Sequence, residues 1–232
     1  MTETNPGEER MNREDGAPAS IATPELTTWG VGPWQGDWPS DAHDENSHWD
    51  TQLLAEGDTR NVLDEFRYWK MEAIVAQLDS RRHSYHVAIE NWQHDLNIGS
   101  IVRTANAFLA AEVHIVGHKR WNRRGAMVTD RYQHVRHHAT VEEFVEWAKA
   151  EQLPIIGIDN VPGCQKIEQF DLPERCVFLF GQEGPGLSEA ALAASDAVLE
   201  ITQFGSTRSI NASAAAAITM HCWIEQHVFK RR

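Results

Sequence analysis

Along this chain of 232 residues, apolar side chains keep no steady period up to residue 60 and fall into regular blocks after it. Residues 1–60 hold 6 of the 15 glycines and 5 of the 9 prolines, with few aliphatic side chains. Such a segment buries too little apolar surface to offset its chain entropy, which predicts a largely disordered tail. Trp29, Trp34, Trp38 and Trp49 run against that trend, because indoles seek a surface to cover them. They pack on the protein's own core or dock a partner, and the first is the simpler expectation. From residue 61, Val62, Phe66, Trp69, Ala73, Val75 and Leu78 recur at helical spacing and predict a leading helix within 62–82. Strands are predicted at 86–90, 112–116, 153–159, 175–181 and 197–202. Helices are predicted at 97–110, 141–151, 188–195 and 209–229, that at 141 opened by a capping box of Thr140 and Glu143. Strand and helix alternate, which predicts an α/β domain over 61–232 with a mostly parallel open sheet covered on both faces.

The charge changes the picture once it is divided. The formal net charge is -13, from 34 acidic and 21 basic side chains, but residues 1–60 carry 13 acids against 3 bases, leaving 21 against 18 for the rest. The acidity belongs mainly to the tail and does not exclude a polyanionic partner for the core. Apolar residues at 41% and charged residues at 24% match an ordinary globular mix. No apolar run approaches the ~20 residues of a membrane span, and the first 20 residues lack the basic flank and apolar stretch of a secretory signal, so a cytoplasmic protein without membrane contact is expected. Cys164, Cys176 and Cys222 are odd in number without CxxC spacing, which disfavours a disulfide framework and a structural zinc site; no metal is expected.

In a parallel sheet, ligands bind beyond the carboxyl ends of the strands, and three segments fall there. Asn97 and Arg103 open the helix after the first strand; read alone, they are a cap and a surface arginine, or polar heads converging at a strand end. Leu179 to Ser188, LFGQEGPGLS, runs from strand to helix with Gly181, Gly184 and Gly186 in six positions, so its backbone can turn sharply and approach a flat ligand. It is neither GxGxxG nor GxxxxGK[ST], which argues against a dinucleotide or nucleoside triphosphate site. Glu183 in its middle is either solvated or an orienting acceptor. Ser209 to Ala217, SINASAAAA, joins a polar turn to an alanine-rich helix suited to close packing.

Together NxGxxxR, LFGQEGPGLS and SINASAAAA, in that order, resemble the three motifs of the SpoU family of RNA ribose methyltransferases within the SPOUT superfamily. The resemblance runs from His86 to His227. It implies methyl transfer from S-adenosylmethionine to a ribose 2'-hydroxyl of tRNA or rRNA, by a homodimer whose C-terminal part forms a trefoil knot. Carried over to this sequence, Arg103, Asn97, Glu183 and Asn211 are the catalytic positions. Gly181, Gly184, Gly186, Ile201, Ser209 and Ile210 are the cofactor positions, with Ile201 and Ile210 sandwiching the adenine. The family's arginine has been cast as a general base, but a guanidinium stays protonated, so an electrostatic role for Arg103 is expected.

Lys119, Arg120, Trp121, Arg123 and Arg124, followed by Arg131, Arg136, His137 and His138, read as one basic loop offering RNA contacts, with Trp121 placed to stack on a base. DNA is not an expected partner. Larger family members carry an additional N-terminal RNA-binding domain, and the acidic tail is too poor in apolar residues to make one, which favours tRNA over rRNA. The alternative is a catalytically silent RNA-binding module of the same fold, acting as an assembly or regulatory factor; the intact Arg103, Asn97 and Asn211 oppose it.

Overall fold

A computed structural model describes residues 30–93 and 97–230. Seven parallel strands form one sheet: β1 (His86–Asn91), β2 (Val113–Gly117), β3 (Val135–His138), β4 (Ile155–Ile158), β5 (Gln165–Lys166), β6 (Val177–Phe180) and β7 (Ala197–Glu200), in the order β3-β2-β1-β6-β4-β7-β5. The central runs HVAIEN, VHIVG, IIGI and VFLF are buried almost throughout, as strands covered on both faces must be. Alternation then sorts the side chains. Val87 and Ile89 of β1 join Ile115, Phe178 and Phe180 in one core, whereas Ala88 joins Val116, Val177 and Leu179 in the other.

Six helices cover the described residues: α1 (Thr51–Glu56), α2 (Met71–Asp79), α3 (Asn97–Ala107), α4 (Val141–Ala150), α5 (Glu189–Ala194) and α6 (Ala212–Ile224). The first core takes Ile98, Ile101, Val102 and Ala105 of α3 with Ala216, Met220 and Trp223 of α6; the second takes Phe144 and Ala148 of α4 with Ala191 of α5. The alanine-rich helix therefore spends one face inside its own chain. Half of the capping box is present: Thr140 Oγ1 accepts from Glu143 N at 3.2 Å, while the Glu143 carboxylate reaches past the cap to accept from Ala139 N at 2.7 Å.

Two strands escape the hydrophobic pattern. β5 has only two residues, and β3 reads VRHH, so Arg136, His137 and His138 stand on a strand rather than on a basic loop. What qualifies β3 for burial is imidazole: His86, His114 and His138 lie in line on β1, β2 and β3, with ring nitrogens 3.0 and 2.9 Å apart. Burial, with the positive charge of Arg136 adding to it, lowers His86 to about 4 and, with neighbouring His86, His138 and Arg136, His114 to about 2.

The expected tail divides. Residues 1–29, Trp29 among them, lie outside the described residues. Residues 30–60 fold back on 58–70 and correct the expectation of disorder there. Val31 bridges Asp58 and Trp49 bridges Trp69, so pairing crosses residue 60. Trp34 contacts Trp49 and Tyr68 edge-on at 5.6 and 5.4 Å, over a fully buried Leu54. Aromatic area replaces the missing aliphatic area. The same packing shortens the leading helix: Tyr68 sits at φ 62, and regular helix begins only at Met71.

This unit turns on Asp58, a fully buried carboxylate that accepts from Arg60 Nε at 2.8 Å, Arg60 Nη2 at 2.7 Å, Arg60 N at 3.0 Å and Tyr68 N at 2.9 Å. Burial alone would raise its pKa; the Arg60 side chain and the two N–H groups outweigh it and hold the carboxyl below 3.8. A carboxyl lowered on folding stabilises fully above its unfolded value, and that stabilisation is lost as pH falls through the lower folded value. Replacing Asp58 by Ala leaves Arg60 Nε and Tyr68 N without their acceptor and Arg60 Nη2 with only Trp69 O, and is expected to cost about 3 kcal/mol in urea denaturation followed by tryptophan fluorescence. The gap to wild type should be constant at neutral pH and shrink only below pH 3.8; a gap that shrinks near neutrality would place the effect elsewhere.

Candidate active site

The site begins with a loop that only glycine permits. From β6 the chain enters Gly181, and Gln182 and Gly186 exchange backbone hydrogen bonds at 3.1 Å in both directions. A Cβ on Gly181 would stand 2.0 Å from Gly186 C and 2.2 Å from Leu187 N, so the loop closes on itself where a side chain would be. Gly184 and Gly186 adopt φ 100 and 74, the left-handed region that disfavours other residues. Two carboxylates, one half-buried and one fully buried, clamp the loop from two strand ends. Asp159, after β4, accepts from Leu187 N at 2.8 Å. Glu90 of β1, fully buried, accepts from Ser188 N at 2.8 Å and from Trp92 Nε1 at 2.9 Å. Gln182 Oε1 adds a bond from Trp92 N at 3.0 Å.

Three sequence-distant segments then meet. Asn97, the buried first residue of α3, donates from Nδ2 to Glu183 Oε2 at 2.9 Å and accepts at Oδ1 from Asn211 Nδ2 at 2.8 Å. Asn211 in turn caps α6, its Oδ1 accepting from Ser213 N at 3.0 Å and Ala214 N at 3.3 Å. Of the catalytic candidates, Asn97, Glu183 and Asn211 are therefore joined directly. Arg103 stands apart from that chain: six residues along α3 from Asn97, exposed, and with no hydrogen bond or ion pair among the described residues.

A cleft of about 510 Å³ opens beside this junction. Gly181, Gly184, Gly186, Ile201, Ser209 and Ile210 all line it, with Glu183 and Asn211. Its wall also includes Asp159, Asn160 and Gln203, which sequence reasoning missed. Asn160 Nδ2 donates to Arg208 O, tying the Ser209–Ile210 turn to the end of β4. An acid closing an otherwise apolar strand, as in VAIE and IIGID, was the available signal for Glu90 and Asp159. Three carboxylates, Asp159, Glu183 and Glu200, line the cleft without a lysine or arginine. Such a wall favours a cationic ligand and disfavours a phosphorylated one.

The basic segment lies next door. Gly99 of α3 meets the 122–126 turn so closely that a Cβ would stand 2.8 Å from Ala126 N. Lys119, Arg120, Arg123 and Arg124 are exposed, and the Arg123 guanidinium lies over the Trp121 ring at 5.5 Å and 3.3 Å from Asp130. Trp121 is half-buried against the first core, so one part of its ring is already occupied.

Residues 84–221 match the model of the SpoU rRNA Methylase family. The chain is 26% identical over 151 residues to the tRNA (guanosine(18)-2'-O)-methyltransferase of Escherichia coli strain K12, an alignment covering 64% of this chain and 66% of that enzyme. In structure it resembles the SpoU methyltransferase AviRb from Streptomyces viridochromogenes, solved in complex with AdoMet, with TM-score 0.57 and 24% identity over 63% of this chain and 59% of that one. It also resembles the A. aeolicus TrmH/SpoU tRNA modifying enzyme, with TM-score 0.61 and 18% identity over 69% and 86% of the two chains. With more than half of its length matched by the family model, and with the glycine loop and the Asn97–Asn211 pair meeting at the ends of a parallel sheet, the chain belongs to the SpoU rRNA methylase family.

Proposed function

We propose that this chain transfers a methyl group from S-adenosylmethionine to a ribose 2'-hydroxyl of structured RNA, tRNA in preference to rRNA. The observation that carries the reading is the hydrogen-bonded run Glu183–Asn97–Asn211, which unites the three motifs at the mouth of an acidic, glycine-walled cleft. The relative from E. coli, named as a tRNA 2'-O-methyltransferase, supports both the chemistry and the tRNA preference. The cleft suits the cofactor: its acids face a ligand that carries a sulfonium and an ammonium but no phosphate, the backbone at Gly181–Gly186 can read an adenine edge, and Ile201 and Ile210 supply apolar faces.

When bound, S-adenosylmethionine supplies an electrophilic methyl group; the remaining work falls to this chain. Glu183, Asn97 and Asn211 hold the mouth of the cleft at fixed spacing, so that an incoming ribose oxygen is aligned rather than merely near. Arg103, projecting from the helix that Asn97 opens, has its guanidinium free to take a backbone phosphate bidentately and to stabilise negative charge on the oxygen as its proton leaves. It remains protonated throughout. Lys119, Arg120, Arg123 and Arg124 extend the positive surface toward the flanking RNA, while Trp121, half-buried beneath the Arg123 guanidinium, must exchange that cation for a base if it is to stack. In this reading the chain is a cytoplasmic homodimer, its contact including Ile218, Val228 and Phe229, which stay exposed on and after α6. The turn at Ser209–Ile210, drawn against the Gly181–Gly186 loop, would complete a trefoil knot. Among the described residues no helix is long and apolar enough to cross a membrane.

Labelled cofactor incubated with the protein and total RNA from a strain lacking it should yield a labelled ribose at a defined tRNA position. A chain that binds RNA but fails a cofactor titration would instead be a silent module. Arg103→Lys keeps the charge and loses the planar fork; turnover is expected to fall about 100-fold with cofactor affinity unchanged, and wild-type turnover would remove Arg103 from the chemistry. Gly181→Ala forces the loop apart, and a displacement near 1 Å is expected to lower turnover about 100-fold; a structure of the variant with its loop unmoved and full activity would contradict that account. Reversing charge at Arg123 and Arg124 should weaken RNA binding and flatten its salt dependence, with the cofactor dissociation constant unaltered; unchanged RNA affinity would retire this surface.

A further inference from the structure

Away from the cleft, the starts of β1 and β2 bring together His86, Glu112 and His114, and one ligand atom from each lies within 4.8 Å of the other two. The register explains why. Val87 pairs with Val113, which sets His86 level with Glu112, and His114 stands two residues further on the same face. His86 Nδ1 is 3.0 Å from His114 Nε2, and Glu112 Oε2 is 3.8 Å from His114 Nε2. Nitrogen and oxygen ligands held tetrahedrally at 2.0–2.2 Å from zinc stand about 3.3 Å apart. The observed separations straddle that spacing.

The surroundings are those of a supported ligand set rather than of three stray side chains. The second nitrogen of His114, Nδ1, bonds His138 Nε2 at 2.9 Å, which fixes the ring and directs its Nε2 toward Glu112 and His86. Arg136 Nε holds the Glu112 carboxylate at 3.0 Å. Outer partners of this kind orient metal-binding imidazoles and carboxylates. Trp147 of α4 lies 3.9 Å from the His114 ring and closes the apolar side. His86 and Glu112 are only half-buried, which leaves an approach from solvent and room for water as a further ligand.

We propose that His86, Glu112 and His114 bind one divalent ion of the zinc class. Two imidazoles and one carboxylate suit zinc rather than magnesium or calcium, which favour oxygen alone. No cysteine takes part, so the ligands carry no sequence spacing that betrays them; they come from two strands and meet only in the sheet. The site lies at the amino ends of β1 and β2, whereas the cleft lies beyond the carboxyl ends of β4, β6 and β7. Its role is to pin two neighbouring strands, not to act on a methyl group.

The full-length protein, stripped with a chelator and dialysed against zinc chloride, should retain one zinc per chain by elemental analysis and melt at a higher temperature than the stripped form. Glu112→Gln preserves size and the Arg136 contact, and His86→Gln removes a half-buried imidazole; each should weaken zinc binding at least tenfold and abolish the melting shift. S-adenosylmethionine binding by both variants should match wild type and so report intact folding. His134→Gln, which alters the exposed pair with Asp79, should change nothing. Absence of zinc uptake by the wild type, or uptake undiminished in both Glu112→Gln and His86→Gln, would overturn the proposal, and neither result bears on methyl transfer.

Discussion

The fold's functional geometry depends on one property of a primary amide: it donates at one end and accepts at the other. Asn97 gives its N–H to the Glu183 carboxylate and takes one from Asn211, whose own carbonyl caps α6. Donation therefore runs in one direction, from the helix N-terminus through two amides into a carboxylate, and each bond polarises the next. An aspartate at 97 would set two carboxylates face to face, and a leucine would remove the bonds that tie Glu183 and Asn211 to α3. Residues separated by 86 and 114 positions in sequence are held by this run, so α3, the glycine loop and α6 cannot shift independently.

The loop supplies the second constraint, and it acts through exclusion. Gly181 lets the backbones of 181 and 186 touch, and the carboxylates of Glu90 and Asp159 accept the N–H groups of Ser188 and Leu187 that this closure exposes. Without those acceptors the turn would bury orphan donors, at about 1–3 kcal/mol each. The bonds also commit both acids to the loop, and Asp159, the one of the two that lines the cleft, is thereby held in its wall.

Legibility in the sequence followed from what each element is built of. β4 and β6 are continuous apolar runs, β1 and β2 are mainly apolar, and α4 carries its cap, so periodicity and capping suffice to place them. The convergence of the glycine loop with Asn97 and Asn211 was legible because backbone constraints demand particular types: glycine where a Cβ cannot fit, asparagine where a helix opens. β3 was not legible, because its one buried position is His138, whose imidazole finds its partner in His114 only once the strands align. Nor was the fold of residues 30–60, whose core of Leu54, Trp34, Trp49 and Tyr68 borrows aromatic area from beyond residue 60. Local composition cannot register partners that distant.

Charge is arranged by location rather than by total. A net charge of -13 would repel RNA if it were spread evenly. Instead the acids concentrate before residue 61 and inside the cleft, while Lys119, Arg120, Arg123 and Arg124 stand exposed on a turn locked to α3 at Gly99, the helix that carries Arg103. At physiological ionic strength fields decay over about 8 Å, so a polyanion approaching that turn responds mainly to the charges within that reach, the basic side chains of the turn and the Asp130 that pairs with Arg123. The cleft behind it, lined by Asp159, Glu183 and Glu200 without a lysine or arginine, favours a cationic ligand over a phosphorylated one. In the proposed function, two neighbouring surfaces of opposite sign would keep nucleic acid and methyl donor apart until they meet beside Arg103.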